Sequence, residues 1–214
     1  MDISTREFSG FTIRSISVSE MQNNVYLVTA AGSDSHVLVD AADDLPAIQE
    51  LIAAAGGGEV AAILTTHRHW DHVRALKGAT EALTERTIAG ADDAEAIAEE
   101  SGARIGETVA NEDVLVIGGL SFACIGLRGH TPGSIAFALT DEDGRDVILS
   151  GDSLFPGGPG KTWSAEDFDS LMDDLEERIF SRFGDETQVL PGHGDGTTLA
   201  AERPHLAEWR ARGW

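Results

Sequence analysis

The sequence contains one cysteine, Cys124, among 214 residues. An intrachain disulfide is therefore impossible, and a metal site built from several thiolates is excluded. Cys124 lies in the apolar stretch Phe122-Ala123-Cys124-Ile125 and reads as a small core residue. Lysine is almost as scarce, occurring only at Lys77 and Lys161. All basic residues number 15 against 37 acids, for a formal net charge of −22. A field of that sign repels phosphate backbones and anionic lipid, so neither nucleic acid nor a membrane surface is an expected partner. No apolar run approaches the roughly 18 residues of a membrane-crossing helix. The opening Met1-Asp2-Ile3-Ser4-Thr5-Arg6-Glu7 is polar and acidic, unlike a secretory leader, which points to the cytoplasm. Repeats, low-complexity linkers and composition shifts are all missing, so a single domain over residues 1–214 is expected, as a monomer or homodimer.

What is present is a run of short apolar segments punctuated by turn residues. Strands are expected at 11–18, 24–29 and 35–40, then a helix over 44–55 stopped by Gly56-Gly57-Gly58. Ile63-Leu64 belong to a further strand; 72–84 reads as helix, 87–90 as extended and 91–101 as helix. Strands follow at about 120–127, 134–140 and 145–150, the last two joined by the turn Asp141-Glu142-Asp143-Gly144. Ser164 and Asp167 form a capping pattern that opens a helix to about 180. A last strand is expected at 187–190, and the C-terminal segment is helical, with Pro204 near a helix start. Each half is thus a run of strands followed by helices. Two such sheets, packed face to face with helices outside, make an α/β chain folded as a four-layer αββα sandwich.

The strongest local pattern is Thr66-His67-Arg68-His69-Trp70-Asp71-His72. An extended backbone projects His67 and His69 to one side, and Asp71 and His72 fall at the turn that follows. Imidazole and carboxylate together suit zinc, iron or manganese. His130, Asp152 and His193 are each ordinary alone. All three nevertheless sit beside glycine where an apolar strand ends. Strand ends that point the same way converge, and ligands bind there in α/β sheets.

This ordered set, His67-x-His69-x-Asp71-His72 followed by His130, Asp152 and His193, resembles the metallo-β-lactamase superfamily over nearly the whole chain. The resemblance implies that His67, His69 and His130 hold one divalent ion, Asp71, His72 and His193 a second, and that Asp152 bridges them. Zinc is the expected ion, with iron or manganese as alternatives. Within the superfamily the chain is similar to small glyoxalase II-like thioesterases. The matching segments are Asn23-Asn24-Val25-Tyr26-Leu27-Val28, Gly129-His130-Thr131-Pro132-Gly133-Ser134, Ser150-Gly151-Asp152-Ser153-Leu154-Phe155 and Pro191-Gly192-His193-Gly194. It departs from them in Ala75, where a glycine is usual, and in Gly160-Lys161-Thr162-Trp163, where a Gly-Arg pair and an acid are usual. It also ends before the helical domain that binds glutathione in longer glyoxalase II enzymes.

Two ions sharing a water would bring its pKa from 15.7 towards about 7, giving a nucleophile at neutral pH. A thioester is the expected substrate, because a thiol of pKa about 8.5 leaves with little proton donation and the sequence offers no dedicated general acid. Glutathione, mycothiol, bacillithiol and coenzyme A are all possible carriers. Asp71 and Asp152 are the carboxylates assigned to catalysis. A mononuclear iron persulfide dioxygenase is the second reading, since those enzymes resemble this family and use the positions of His67, His130 and Asp152. Lactonases of the family use a tyrosine near the metals, and the sole tyrosine, Tyr26, lies in an early strand. Families with β-lactamase activity generally lack an aspartate at the position of Asp152, and a nuclease would need extra length or a basic surface. The non-enzymatic alternative is a metal-free binding protein.

Several other residues carry two readings. Lys161, at the Gly157–Gly160 loop, either recognises a substrate carboxylate or is an exposed lysine; Phe155 and Trp163 either line the substrate pocket or pack in the core. Trp70 is expected to pack beneath its loop, Thr131 to hydrogen-bond within its turn, His36 to be half-buried and His205 solvated. Asp40 either orients a metal-bound histidine or caps the following helix.

Overall fold

The computed structural model describes residues 2–213. The first sheet contains β1 (Ser4–Phe8), β2 (Phe11–Val18), β3 (Asn23–Ala30), β4 (Ser35–Val39), β5 (Glu59–Thr65), β6 (Thr87–Gly90) and β7 (Glu107–Val109) side by side in chain order. Neighbours are antiparallel up to β4 and parallel from there on. The second sheet contains β8 (Val114–Ile117), β9 (Leu120–Gly126), β10 (Ile135–Thr140) and β11 (Asp146–Gly151). A two-stranded ribbon, β12 (Leu154–Phe155) and β13 (Gly158–Pro159), follows, and β14 (Gln188–Pro191) and β15 (Thr197–Thr198) complete the second sheet beyond β11. Helices α1 (Leu45–Ala54), α2 (Leu76–Ala82) and α3 (Ala94–Ser101) belong to the first half, and α4 (Ala165–Asp174), α5 (Leu199–Glu202) and α6 (Leu206–Arg212) to the second.

Alternation along the strands explains the layers. On β3, Tyr26 and Val28 join Phe122, Phe137 and Leu149 of the second sheet in a core between the sheets. Val25 and Leu27, one residue out of step, pack with Ile48 and Leu51 of α1 and with Leu76 of α2. The second sheet does the same, its Ala138, Ile148 and Val189 lying under Leu171 and Met172 of α4 and Trp209 of α6. With both faces covered, the central strands such as β3 and β10 are largely apolar, and the architecture is the expected αββα sandwich. Among the described residues, no helix is long and apolar enough to cross a membrane.

Three expectations are corrected. The helix over 72–84 breaks into a 3₁₀ turn, Trp70–His72, and α2, which starts only at Leu76. The intervening Arg74 and Ala75 donate their N–H groups to Ala42 and Ala41 instead of continuing a helix, anchoring the turn to the segment after β4. The helix over 91–101 likewise begins late, at Ala94. Several strands carry no apolar signal. β1 is the polar Ser-Thr-Arg-Glu-Phe at a sheet edge, and β7, β12, β13 and β15 are only two or three residues long. β8, Val114–Ile117, is not among the expected strands either; the other elements fall within a few residues of expectation, with the Ser164 side chain accepting from Asp167 N and the helix running on from α4 through a π-helical turn to Phe180. His36 is fully buried rather than half-buried, its Nε2 donating to Gly57 O and its Nδ1 accepting from the Thr29 hydroxyl, both at 2.8 Å.

Candidate metal centre

The seven predicted ligands converge at one end of the sandwich. His67 and His69 follow β5, Asp71 and His72 lie on the 3₁₀ turn, His130 follows β9, Asp152 follows β11 and His193 follows β14. Each strand ends at the same rim, so four loops from two sheets aim their side chains into one space.

Three overlapping groups of ligand atoms emerge, one of which, His67, His72 and Asp152, joins the other two. The nitrogens of His67, His69 and His130 lie within 4.8 Å of one another, as do the ligand atoms of Asp71, His72 and His193. In the latter group, His193 Nε2 lies 3.1 Å from both His72 Nε2 and Asp71 Oδ2. Asp152 stands between the groups: its Oδ2 is 3.6 Å from His130 Nε2 and 3.4 Å from His193 Nε2, and its Oδ1 is 3.4 Å from His72 Nε2.

A metal fits this arrangement on its own terms. His67 Nε2 and His130 Nε2 are buried without a hydrogen-bond partner, and Asp152 Oδ1 is buried with His72 Nε2 3.4 Å away. Orphaned buried groups are costly, and all three atoms face the common space, where a divalent cation would satisfy them. The opposite ring nitrogens are already engaged. His72 Nδ1 donates to Asp40 Oδ2 at 2.9 Å, His130 Nδ1 to Lys161 O at 2.7 Å and His193 Nδ1 to Met21 O at 2.9 Å. His67 Nδ1 pairs with the Thr66 hydroxyl at 3.0 Å, and that hydroxyl in turn donates to Asp40 Oδ2 at 2.8 Å. Such outward bonds fix the tautomer and leave Nε2 free for a metal. Asp40 is thus the orienting partner; the cap of α1 is Asp44, whose carboxylate accepts from Ala47 N.

The electrostatics differ between the groups. Burial lowers His67 and His130 and takes His69 down to about 4, so these rings are neutral near pH 7. Burial opposes charge on His72 and His193 as well, but hydrogen bonds to Asp152, with Asp40 for one and Asp71 for the other, push each up to about 10. Despite their own burial, Asp71 and Asp152 are held well below the usual carboxylate range by His193, with Asn23 assisting Asp71 and His72 assisting Asp152.

Packing at the rim leaves no slack. A Cβ on Gly192 would come within 2.2 Å of Asp152 Oδ1 and 2.6 Å of His72 Cε1, so only glycine lets the chain pass between β14 and the ligands.

The predicted substrate residues border the centre. Trp163 is 58% exposed with its ring 6.2 Å from that of His69, which excludes a core role. Lys161 is exposed with Nζ 4.4 Å above the Trp163 ring, and Phe155 is half-buried with its ring 6.5 Å from that of His193. Trp70 does not pack beneath its loop: it is 49% exposed, with the Arg74 guanidinium 3.9 Å over its ring. Thr131 bonds Asp93 and Ser134, as its turn role requires. The Tyr26 hydroxyl donates to Pro191 O at 2.6 Å and so braces the strand that leads to His193. His205 is solvated beside Glu208, and Cys124 is buried, its thiol pushed up to about 12 by burial.

Sequence reasoning missed several contributors. Asn23, whose Nδ2 donates to Asp71 Oδ2 at 2.9 Å, was visible only as part of an early motif. The Met21 and Lys161 carbonyls have no residue-type signal at all, since any residue supplies one.

The sequence pattern of the metallo-beta-lactamase superfamily matches residues 18–193. A hydroxyacylglutathione hydrolase of Chromohalobacter salexigens is 31% identical over 173 residues, covering 80% of this chain and 62% of that protein. The chain spans 57% to 62% of the length of three of the curated relatives it matches. Among solved structures, TTHA1623 in a di-iron-bound form is similar at 31% identity with a TM-score of 0.69, covering 88% of this chain and 96% of that one. ETHE1 from Myxococcus xanthus is similar at 26% identity with a TM-score of 0.75, covering 91% and 82% respectively. On its strand-end ligand set, its sandwich and this match, the chain belongs to the metallo-beta-lactamase superfamily.

Proposed function

We propose that the chain is a binuclear metal-dependent hydrolase that cleaves thioesters into a carboxylic acid and a free thiol. The observation that carries this reading is the pair of three-residue ligand groups with Asp152 between them. His67, His69 and His130 would hold one ion and Asp71, His72 and His193 the other, with Asp152 standing between the groups. Zinc is the expected metal; the di-iron form of TTHA1623 supports iron as an alternative. Ions held there would acidify a shared water enough to supply a nucleophile at neutral pH and would polarise a carbonyl.

The residues of the chain do the rest. Asp40, Lys161 O and Met21 O keep three histidines turned inward, so the ligand geometry is set before substrate arrives. Trp163 and Phe155 present apolar surface on two sides of the centre, and Lys161 offers a cation to an anionic thiol carrier. Addition of water oxygen to the acyl carbon and cleavage of the carbon–sulfur bond then release a thiolate, which needs little protonation to depart. The similarity to a hydroxyacylglutathione hydrolase supports a hydroxyacyl thioester as the substrate class.

One observation favours a second reading, a mononuclear iron persulfide dioxygenase held by His67, His130 and Asp152. His67 Nε2 and His130 Nε2 are buried without a hydrogen-bond partner and Asp152 lies beside them, whereas Asp71, His72 and His193 contact one another. Metal content per chain separates the two. About two equivalents of zinc, iron or manganese, with hydrolysis of a thioester of glutathione, mycothiol, bacillithiol or coenzyme A, is the expected result. One iron that does not increase on adding zinc or manganese, with oxygen uptake on glutathione persulfide, would overturn it.

A further inference from the structure

Asp93 is fully buried just before α3, at the position where an aspartate ordinarily caps its own helix. It makes no such cap. Its carboxylate is turned the other way, onto two loops. Oδ2 accepts from Arg68 N at 3.1 Å and from the Thr131 hydroxyl, and Oδ1 accepts from Gly133 N at 3.0 Å. Arg68 separates His67 from His69, and Thr131 follows His130 directly. The loops come from different sheets, one after β5 and one between β9 and β10. The loop after β9 also presses against the segment before α3: a Cβ on Gly133 would lie 2.4 Å from Asp93 N.

Burying a carboxylate is costly, and among the described residues the cation that pairs with it, Arg68 Nε at 3.8 Å, belongs to a side chain 41% exposed. A cap on α3 needs neither this depth nor these partners. From this arrangement we infer that Asp93 is a positioning residue for one metal only, locking together the two loops that carry His67, His69 and His130. Asp71, His72 and His193 are oriented by other groups: Asn23, Asp40 and Met21 O. The inference rests on the binuclear reading and adds to it: Asp93 serves the three-histidine ion, whereas Asp40 reaches both groups, through its bond to His72 and through Thr66, whose hydroxyl pairs with His67 Nδ1.

The Asp93→Asn variant tests this role. An amide has one oxygen, so it can accept from Arg68 N or from Gly133 N but not from both. The purified full chain, stripped of metal, is titrated with cobalt(II) while visible absorption and chelator competition are followed. Wild type is expected to take up two ions. Asp93→Asn is expected to bind one of them about 10–100-fold more weakly and to lose one set of absorption bands while the other set remains. Two ions bound by Asp93→Asn with wild-type affinity and spectrum would overturn the role, as would equal weakening of both. If Asp93→Asn does not fold, Thr131→Val carries the same test, since it removes one donor and leaves both backbone bonds; loss of the same bands supports the inference, and an unchanged spectrum overturns it. Fewer than two ions in wild type would instead remove the binuclear reading, and this inference with it.

Discussion

Asp40 Oδ2 lies 2.9 Å from His72 Nδ1, with both side chains buried, and Asp40 also accepts from the Thr66 N–H and hydroxyl at 2.8 Å. One carboxylate at the end of β4 therefore orients a histidine on the 3₁₀ turn and anchors the residue before His67. Asp40 reaches this position in a left-handed backbone conformation, φ 57°, which a β-branched residue would resist.

Asp40→Ala should weaken binding of the ion held by Asp71, His72 and His193 by about 10–100-fold. It should also cost stability, because Thr66 N–H is left buried without an acceptor. Chelator competition and thermal unfolding of the metal-free chain read the two effects separately. Unchanged metal affinity would show that the Asp40–His72 bond has no part in the centre.

Metal uptake should release protons from one ligand group and not from the other. His72 and His193, raised from 6.5 to about 10, are protonated in the metal-free chain at pH 7, and an ion must displace those protons. His67, His69 and His130 are lowered and bind without release. For raised groups the stabilisation of the metal-free fold is complete below about pH 6.5 and is lost as pH rises towards about 10. The metal-free Tm should therefore fall across that window while affinity for the second ion rises. Calorimetric titration in buffers of different ionisation enthalpy measures the proton count; no release on binding either ion would contradict the assignment.

Gly192→Ala should abolish activity and reduce metal content, since the added methyl overlaps Asp152 and His72. A destabilisation of about 1–3 kcal/mol is expected from the forced shift. Full metal occupancy in a folded Gly192→Ala protein would mean that the rim yields more easily than its packing indicates.

Lys161→Ala and Trp163→Ala should raise KM for thioesters of anionic carriers several-fold and leave kcat nearly unchanged. Both side chains are exposed, and removing their mutual contact should change stability by less than about 1 kcal/mol. Steady-state kinetics on a thioester of glutathione and on an uncharged one distinguishes recognition from general disturbance; equal effects on the two substrates would argue against a role for the Lys161 charge.

Much of this protein is legible in its sequence for a definite physical reason. Strands covered on both faces are apolar along most of their length, so β3 to β5 and β9 to β11 declare themselves, and β2 does so by alternation. The seven ligands are legible as well, because imidazole and carboxylate beside strand-end glycines are an unusual local chemistry. Residue types could not decide where hydrogen bonds go once the strands pack. The 3₁₀ turn at Trp70–His72 interrupts a helical pattern because Arg74 and Ala75 bond to Ala42 and Ala41, more than 30 residues away in the chain. Asp93 falls within the helix expected over 91–101, yet it stands just before α3 and cross-links loops of two sheets. Asp40 carried two readings until His72 was seen against it, and the Met21 and Lys161 carbonyls became visible only with the fold. Local sequence determined which groups could bind a metal; the meeting of two sheets decided which of their atoms face inward, because that depends on partners no local pattern contains.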